Sequence, residues 1–333
     1  IYTGEDTLSL HDALPISIVL PSCLYAAKSF SICSILAKAL LSFSFLYISL
    51  NFKTVFKNFI TIAKERNMST SPRTVLGIDA STQSLSAVLL QANTGEILWS
   101  RSLAYRDDPR LAGFGFEHDT MIIPPREPGE AEQPPRLFIA ALEALFADLK
   151  AAGFDTSAIA AINTSGQQHG HVYLNDQAKA LFARLRDTAS AKDTLLSLLG
   201  DSFAYGGAPI WKTANTAAEA EHIRQAVGGK EAIIRLTGSD MPLRFSVTVH
   251  RKLAIRYPAA YAATRHILQI SSFIPAILAG DCTIPIDFGN ACGTGLMNYS
   301  KRQWDDVVMN AVAGDLPGGT AALAAKLPPI AHP

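Results

Sequence analysis

The sequence predicts an α/β domain, a mixed sheet with flanking helices. Three short apolar segments joined by tight turns come first, a helix followed by a strand comes next, and the remaining apolar spacing is mostly helical. The first strand is predicted over 74–80 (TVLGIDA), the second over 85–91 and the third over 96–103, with Asn93-Thr94-Gly95 turning between the last two. Residues 106–135, which contain PPREPGEAEQPP, are predicted as a long loop. Over 135–152, Leu137, Ala141, Leu142, Leu145, Phe146 and Leu149 fall at helical spacing, and Gly153 supplies the stop. Residues 158–164 (AIAAINT) are predicted as a buried strand, apolar on both faces.

Beyond this strand, Thr216 is placed to cap a helix running to about 227 and closed by Gly228-Gly229. A shorter helix is predicted over 231–236 before Gly238. The next starts at Ser246 or Thr248 and ends near Tyr257-Pro258, and another spans 271–278 before Gly280. A strand over 284–287 and an amphipathic helix over 304–311 follow, and Gly318-Gly319-Thr320 is a turn ahead of an Ala-rich helix.

A chain of 333 residues with 48% hydrophobic content can bury a sizeable core. Its 29 Lys+Arg balance 29 Asp+Glu, which argues against a nucleic-acid partner. The apolarity is concentrated in residues 1–67, which hold six basic and four acidic side chains. Uncharged runs over 13–27 and 39–52 fall short of the about 20 residues that span a bilayer, and a span across 29–50 would carry Lys38 near its middle. A membrane anchor and a targeting segment both fit the stretch less well than a third reading. Met68 precedes the first strand, and DTLSLHDALPI resembles a translated sequencing adapter, so 1–67 is expected to be a non-native leader ahead of a domain over 68–333. The four cysteines show no CxxC spacing, as expected of a reduced, cytoplasmic protein.

Two strand ends carry the chemistry. In GIDASTQS a strand delivers Asp79 to a turn of Ser81, Thr82, Gln83 and Ser84. Backbone N–H groups and hydroxyls there can cradle a phosphate while the carboxylate holds its metal, although Asp and Ser also bond their own backbone in ordinary turns. Ser165-Gly-Gln-Gln-His169-Gly170 follows the strand at 158–164. Its amides and imidazole suit a polyhydroxylated ligand better than a core, with a solvated loop as the plainer alternative. Arg244 is either a third polar group of a cleft or a surface ion pair.

These segments, together with APIW, LTGSDMPLRF, RKLAIRYPAAY, ISSFIPAILAG and PIDFGNACGTGLMNY, resemble in one consistent order the N-terminal domain of the FGGY carbohydrate kinases, most closely the eukaryotic-like xylulokinase branch. The resemblance implies a ribonuclease-H-like (actin-like ATPase) fold with sugar in a cleft, ATP and Mg2+ as cofactors, and phosphorylation of D-xylulose to xylulose 5-phosphate in the intact enzyme. It implies Asp79 on the metal and phosphate side, with Ser81, Thr82 and Gln83 along the phosphoryl path, and Gln168, His169, Arg244 and Trp211 on the sugar. Lys212-Thr213 stands where the family carries Met-Asp or Asn-Asp, and Ser81 where Gly is more usual. The family's catalytic base lies in a Gly-Asp-Asn segment that does not occur before Pro333. The chain is therefore expected to be the sugar-side half, inactive without the C-terminal ATP domain of the same enzyme. Another ketose or polyol kinase, an inactive sugar-binding module and an actin-like ATPase are the alternatives.

Overall fold

A computed structural model describes residues 73–187 and 193–331, so the predicted leader over 1–67 lies outside the described residues. Strands β1 (Thr74–Ala80), β2 (Ser84–Gln91) and β3 (Ile97–Ala104) form an antiparallel meander, as the turn signals predict. Gly95 adopts φ 75° in the β2–β3 turn, where its N–H bonds the Gln91 carbonyl at 2.8 Å. The predicted loop over 106–135 contains a short strand, β4 (Glu132–Gln133). Helix α1 (Pro135–Ala151) follows, with proline in its first turn and Leu137, Phe138, Ala141, Leu142, Leu145 and Leu149 buried.

Strand β5 (Ile159–Gly166) pairs parallel to β1 and completes the order β3-β2-β1-β5. The prediction of a strand buried on both faces is corrected here, because β5 is a sheet edge and Ala160 and Ala161 are exposed. Apolar runs with small side chains satisfy an edge as readily as a centre, and periodicity does not separate the two. Short strands β6 (His171–Leu174) and β7 (Ala208–Pro209) come next, and β7 pairs with β4.

The helical part begins with α2 (Ala217–Val227), α3 (Lys230–Thr237) and α4 (Ser246–Arg256), as predicted. Thr216 does not cap α2 with its side chain, since its hydroxyl donates to the Leu243 carbonyl. Strand β8 (His266–Gln269) pairs antiparallel with β6 and leads into α5 (Ile270–Ala279). The strand predicted over 284–287 is reduced to one bridge, Ile286 to Ile330, followed by α6 (Phe288–Gly293) and α7 (Asp306–Ala313).

One core lies between the sheet, α1 and α5, and a second among α2, α3, α4 and α7. The C-terminal ends of β1 and β5 open between them. Gly166, the last residue of β5, sits so close to α5 that a β-carbon there would meet Ser271 N at 2.8 Å and Ser271 Cα at 3.0 Å. These are backbone atoms, so the obstruction has no side chain to swing away. Gly166→Ala is expected to cost about 1–3 kcal/mol by overpacking. A urea midpoint equal to that of the unsubstituted chain would show that α5 yields.

Candidate functional site

Parallel pairing of β1 with β5 sets Asp79 opposite Ser165 and Ala80 opposite Gly166, so both predicted motifs emerge at one end of the sheet. Ser165 Oγ donates to Asp79 Oδ1, and Gln167 N donates to the Ala80 carbonyl at 2.8 Å. Strand alternation continues past β5. Ser165, Gln167 and His169 are only 3%, 8% and 9% exposed, whereas Gln168 stands out in solvent.

The phosphate-side and sugar-side candidates are joined by a chain of amides and hydroxyls. Trp211 Nε1 donates to Thr82 Oγ1 at 2.9 Å, and Thr82 Oγ1 donates to Gln167 Oε1 at 3.2 Å. Gln167 Nε2 donates to Gln133 Oε1 at 2.9 Å, and Gln133 Nε2 donates to the Thr82 carbonyl at 2.8 Å. The turn itself is fixed by Ser81 N to the Ser84 carbonyl at 2.9 Å and by Tyr105 Oη donating to the Ser81 carbonyl at 3.1 Å. Burial, with the Asp79 carboxylate nearby, holds the Tyr105 phenol far above its ordinary pKa, so it remains a donor. Gln83 points into solvent.

His169 is fixed from two sides. Its φ is 62°, its ring stacks on Phe245 with centroids 4.7 Å apart, and its Nδ1 lies 3.0 Å from the Gly293 carbonyl. Burial lowers its pKa, and the Arg244 charge lowers it further against the opposing hydrogen bond, so the ring is neutral at pH 7. A carbonyl only accepts, so Nδ1 carries the proton and Nε2 keeps a free lone pair. Arg244 is exposed beside it and has no carboxylate partner among the described residues. The 211–216 and 243–245 segments are tied by the Thr216–Leu243 hydrogen bond. Lys212 is exposed, with Nζ 5.6 Å from the Trp211 ring centroid.

Among the described residues no group of three or more His, Cys, Asp or Glu gathers to hold a metal ion. Asp79 is thus a single carboxylate at the mouth of a hydroxyl-rich turn. That donor set fits a magnesium ion that arrives with a phosphate and keeps waters as its other ligands. Ser271 Oγ, just behind Gly166, is buried without a partner among the described residues.

Sequence reasoning missed Gln133, a fully buried amide, because PPREPGEAEQPP carries only loop signals. It also passed over Gln167, which turns inward to bond Thr82 and Gln133, while Gln168, the amide it named, faces solvent. The β5 alternation continued two residues past Ser165 points to Gln167 as the inward amide.

Residues 204–318 match the FGGY family of carbohydrate kinases, N-terminal domain. The chain is 31% identical over 242 residues to xylulose kinase 2 of Arabidopsis thaliana, covering 72% of this chain and 42% of that protein. Its structure superposes on the ligand-bound xylulose kinase from Lactobacillus acidophilus with a TM-score of 0.57 at 20% identity, covering 78% of this chain and 42% of that one. With Plasmodium falciparum glycerol kinase bound to ADP the TM-score is 0.55 at 18% identity, covering 78% and 43%. The fold is thus the actin-like ATPase fold of these sugar kinases. The chain spans about two fifths of the length of these relatives. Among the described residues no helix is long and apolar enough to cross a membrane.

Proposed function

From the chain's membership of the FGGY family of carbohydrate kinases, through its N-terminal domain, we propose that it supplies the sugar-binding side of an ATP-dependent ketopentose kinase, converting D-xylulose to xylulose 5-phosphate in the whole enzyme. The observation that carries the reading is the Asp79–Ser165 hydrogen bond, which places a carboxylate-and-hydroxyl turn against the loop that bears His169.

Each side chain then has a task set by its protonation. Neutral His169 accepts a sugar hydroxyl proton at Nε2, while Arg244 and Gln168 donate to sugar oxygens, which fixes the ring or chain in one orientation. Trp211 offers an apolar face to the C–H side of the sugar. The Thr82 and Gln83 backbone N–H groups, outside the Ser81–Ser84 bond that closes the turn, would line the phosphoryl path, and Asp79 would hold the magnesium ion that neutralises the phosphates. The proton acceptor for the attacked hydroxyl is assigned to a part of the enzyme outside residues 73–331.

The test is titration calorimetry of D-xylulose into the chain and into His169→Ala. Loss of one acceptor is expected to weaken binding about tenfold. Lys212, where the family carries no cation, favours a second reading in which the substrate is another ketose or polyol. No heat with D-xylulose alongside saturable binding of another polyol would replace the substrate named here.

A further inference from the structure

Directly behind the His169 loop lies a line of buried polar side chains outside the ligand contacts. His171 Nδ1 is 2.9 Å from the His169 carbonyl, His171 Nε2 is 2.8 Å from Tyr173 Oη, and Tyr173 Oη is 3.0 Å from His250 Nδ1. His171 and Tyr173 are fully buried and His250 is 2% exposed. Both imidazoles are neutral. Burial pushes the His171 pKa down to about 4, and burial with the neighbouring His171 holds His250 well below its ordinary value.

These partners admit one proton order. The His169 carbonyl can only accept, so His171 carries its single ring proton on Nδ1 and presents a lone pair at Nε2. That lone pair must receive the Tyr173 O–H. Having given its only proton, Tyr173 can only accept from His250, which is therefore also protonated on Nδ1. Donation thus runs in one direction, from His250 through Tyr173 and His171 to the His169 backbone. Reversing any link would leave a buried donor facing a donor, or an acceptor facing an acceptor.

We propose that His171, Tyr173 and His250 are positioning residues that hold His169 in its left-handed conformation so that Nε2 faces the ligand. A non-glycine residue at φ 62° persists only where its surroundings fix it. The hydrogen bond to its carbonyl does so at one end and the Gly293 bond to its ring at the other. Ser246 Oγ, 3.5 Å from the same carbonyl, is too distant to replace His171. The inference rests on the sugar-site reading, since it concerns how that site is held.

The test combines two measurements on the full chain. Long-range proton–nitrogen NMR of histidine-labelled protein at pH 7 should find His169, His171 and His250 all as neutral Nδ1–H forms. Calorimetry with D-xylulose should find Tyr173→Phe weakened about tenfold, the equivalent of one hydrogen bond lost from the alignment of His169. In the same variant the His169 ring signals should shift and broaden. A merely structural role would lower stability without moving those signals. An Nε2–H form at His171 or His250 in the unsubstituted chain overturns the proposal even if sugar binds normally. Unchanged affinity in Tyr173→Phe overturns it as well. If the tautomers are as deduced but no sugar binds, the sugar-site reading has failed and the positioning role falls with it.

Discussion

Replacing Arg126 with methionine is expected to lower folding stability by about 1–3 kcal/mol at pH 8, the cost of leaving buried acceptors unpaired, because the guanidinium side of the cluster is 45% exposed and screened by solvent. The Arg126 guanidinium lies 2.7 Å from Glu130 Oε1 and 2.7 Å from Glu132 Oε2, and it also bonds the Tyr205 hydroxyl. The side chains of Glu130 and Glu132 are only 4% and 11% exposed, and the two carboxylates depend chiefly on this cation, with the Lys252 charge contributing less. Its carbon stands 5.4 Å from the Tyr205 ring centroid and 4.7 Å from that of Tyr257, which adds cation–π attraction. Burial alone would raise the Glu130 pKa, but hydrogen bonds from the Arg126 side chain and backbone bring it below the usual carboxylate value. Burial pushes Glu132 up to about 7 even against the pull of Arg126. Without Arg126 the Glu130 pKa would rise and that of Glu132 would rise further. A group whose folded pKa is raised loses stability as pH climbs through it, so the deficit should be larger at pH 8 than at pH 5. Urea midpoints of the variant at the two pH values decide this, and a deficit independent of pH would remove the electrostatic explanation. Ligand binding should fall too, because Glu132 adjoins Gln133 on β4, and Gln133 holds both Thr82 and Gln167.

The unsubstituted chain is expected to lose stability on acidification from pH 6.5 toward 4. His171 titrates at 6.5 when unfolded and at about 4 when folded, so in this interval the unfolded chain takes up a proton that the folded chain refuses. For His171 alone the loss amounts to about 3 kcal/mol. His250, His169 and His266, whose pKa values are also lowered chiefly by burial, act in the same direction. Glu132 opposes them, since its raised pKa favours the folded state as pH falls from 7 toward 4.5. Four histidines against one glutamate leave acid destabilising. Urea midpoints at pH 7, 5.5 and 4.5 measure the balance, and a midpoint constant or rising over that series would mean that the buried imidazoles are already paired with protons.

Several features were legible in the order of residues because their causes are local. Asn93-Thr94-Gly95 marks a hairpin, and Gly153, Gly228, Gly238 and Gly280 end helices at positions where φ is positive. Other elements were not legible. Strands β4 and β7 are two residues long and exist only because each pairs with the other, Gln133 with Ala208 and Glu132 with Pro209, far apart along the chain. β6 and β8 likewise depend on a partner far away in sequence. Residues 284–287 have strand-like composition, yet Ile286 meets only Ile330, so the ladder does not grow.

By itself the sequence determined that Asp79 and His169 stand at strand ends among groups suited to phosphate and polyol chemistry, because strand period and turn residues act over a few positions. Only the tertiary structure decided that the two ends lie side by side, that Gln167 rather than Gln168 turns inward, that Gln133 completes the site, and that His169 leaves Nε2 free. The register of β1 on β5 and the direction of a buried hydrogen bond are set by partners 34 to 124 residues away, and no local pattern encodes them.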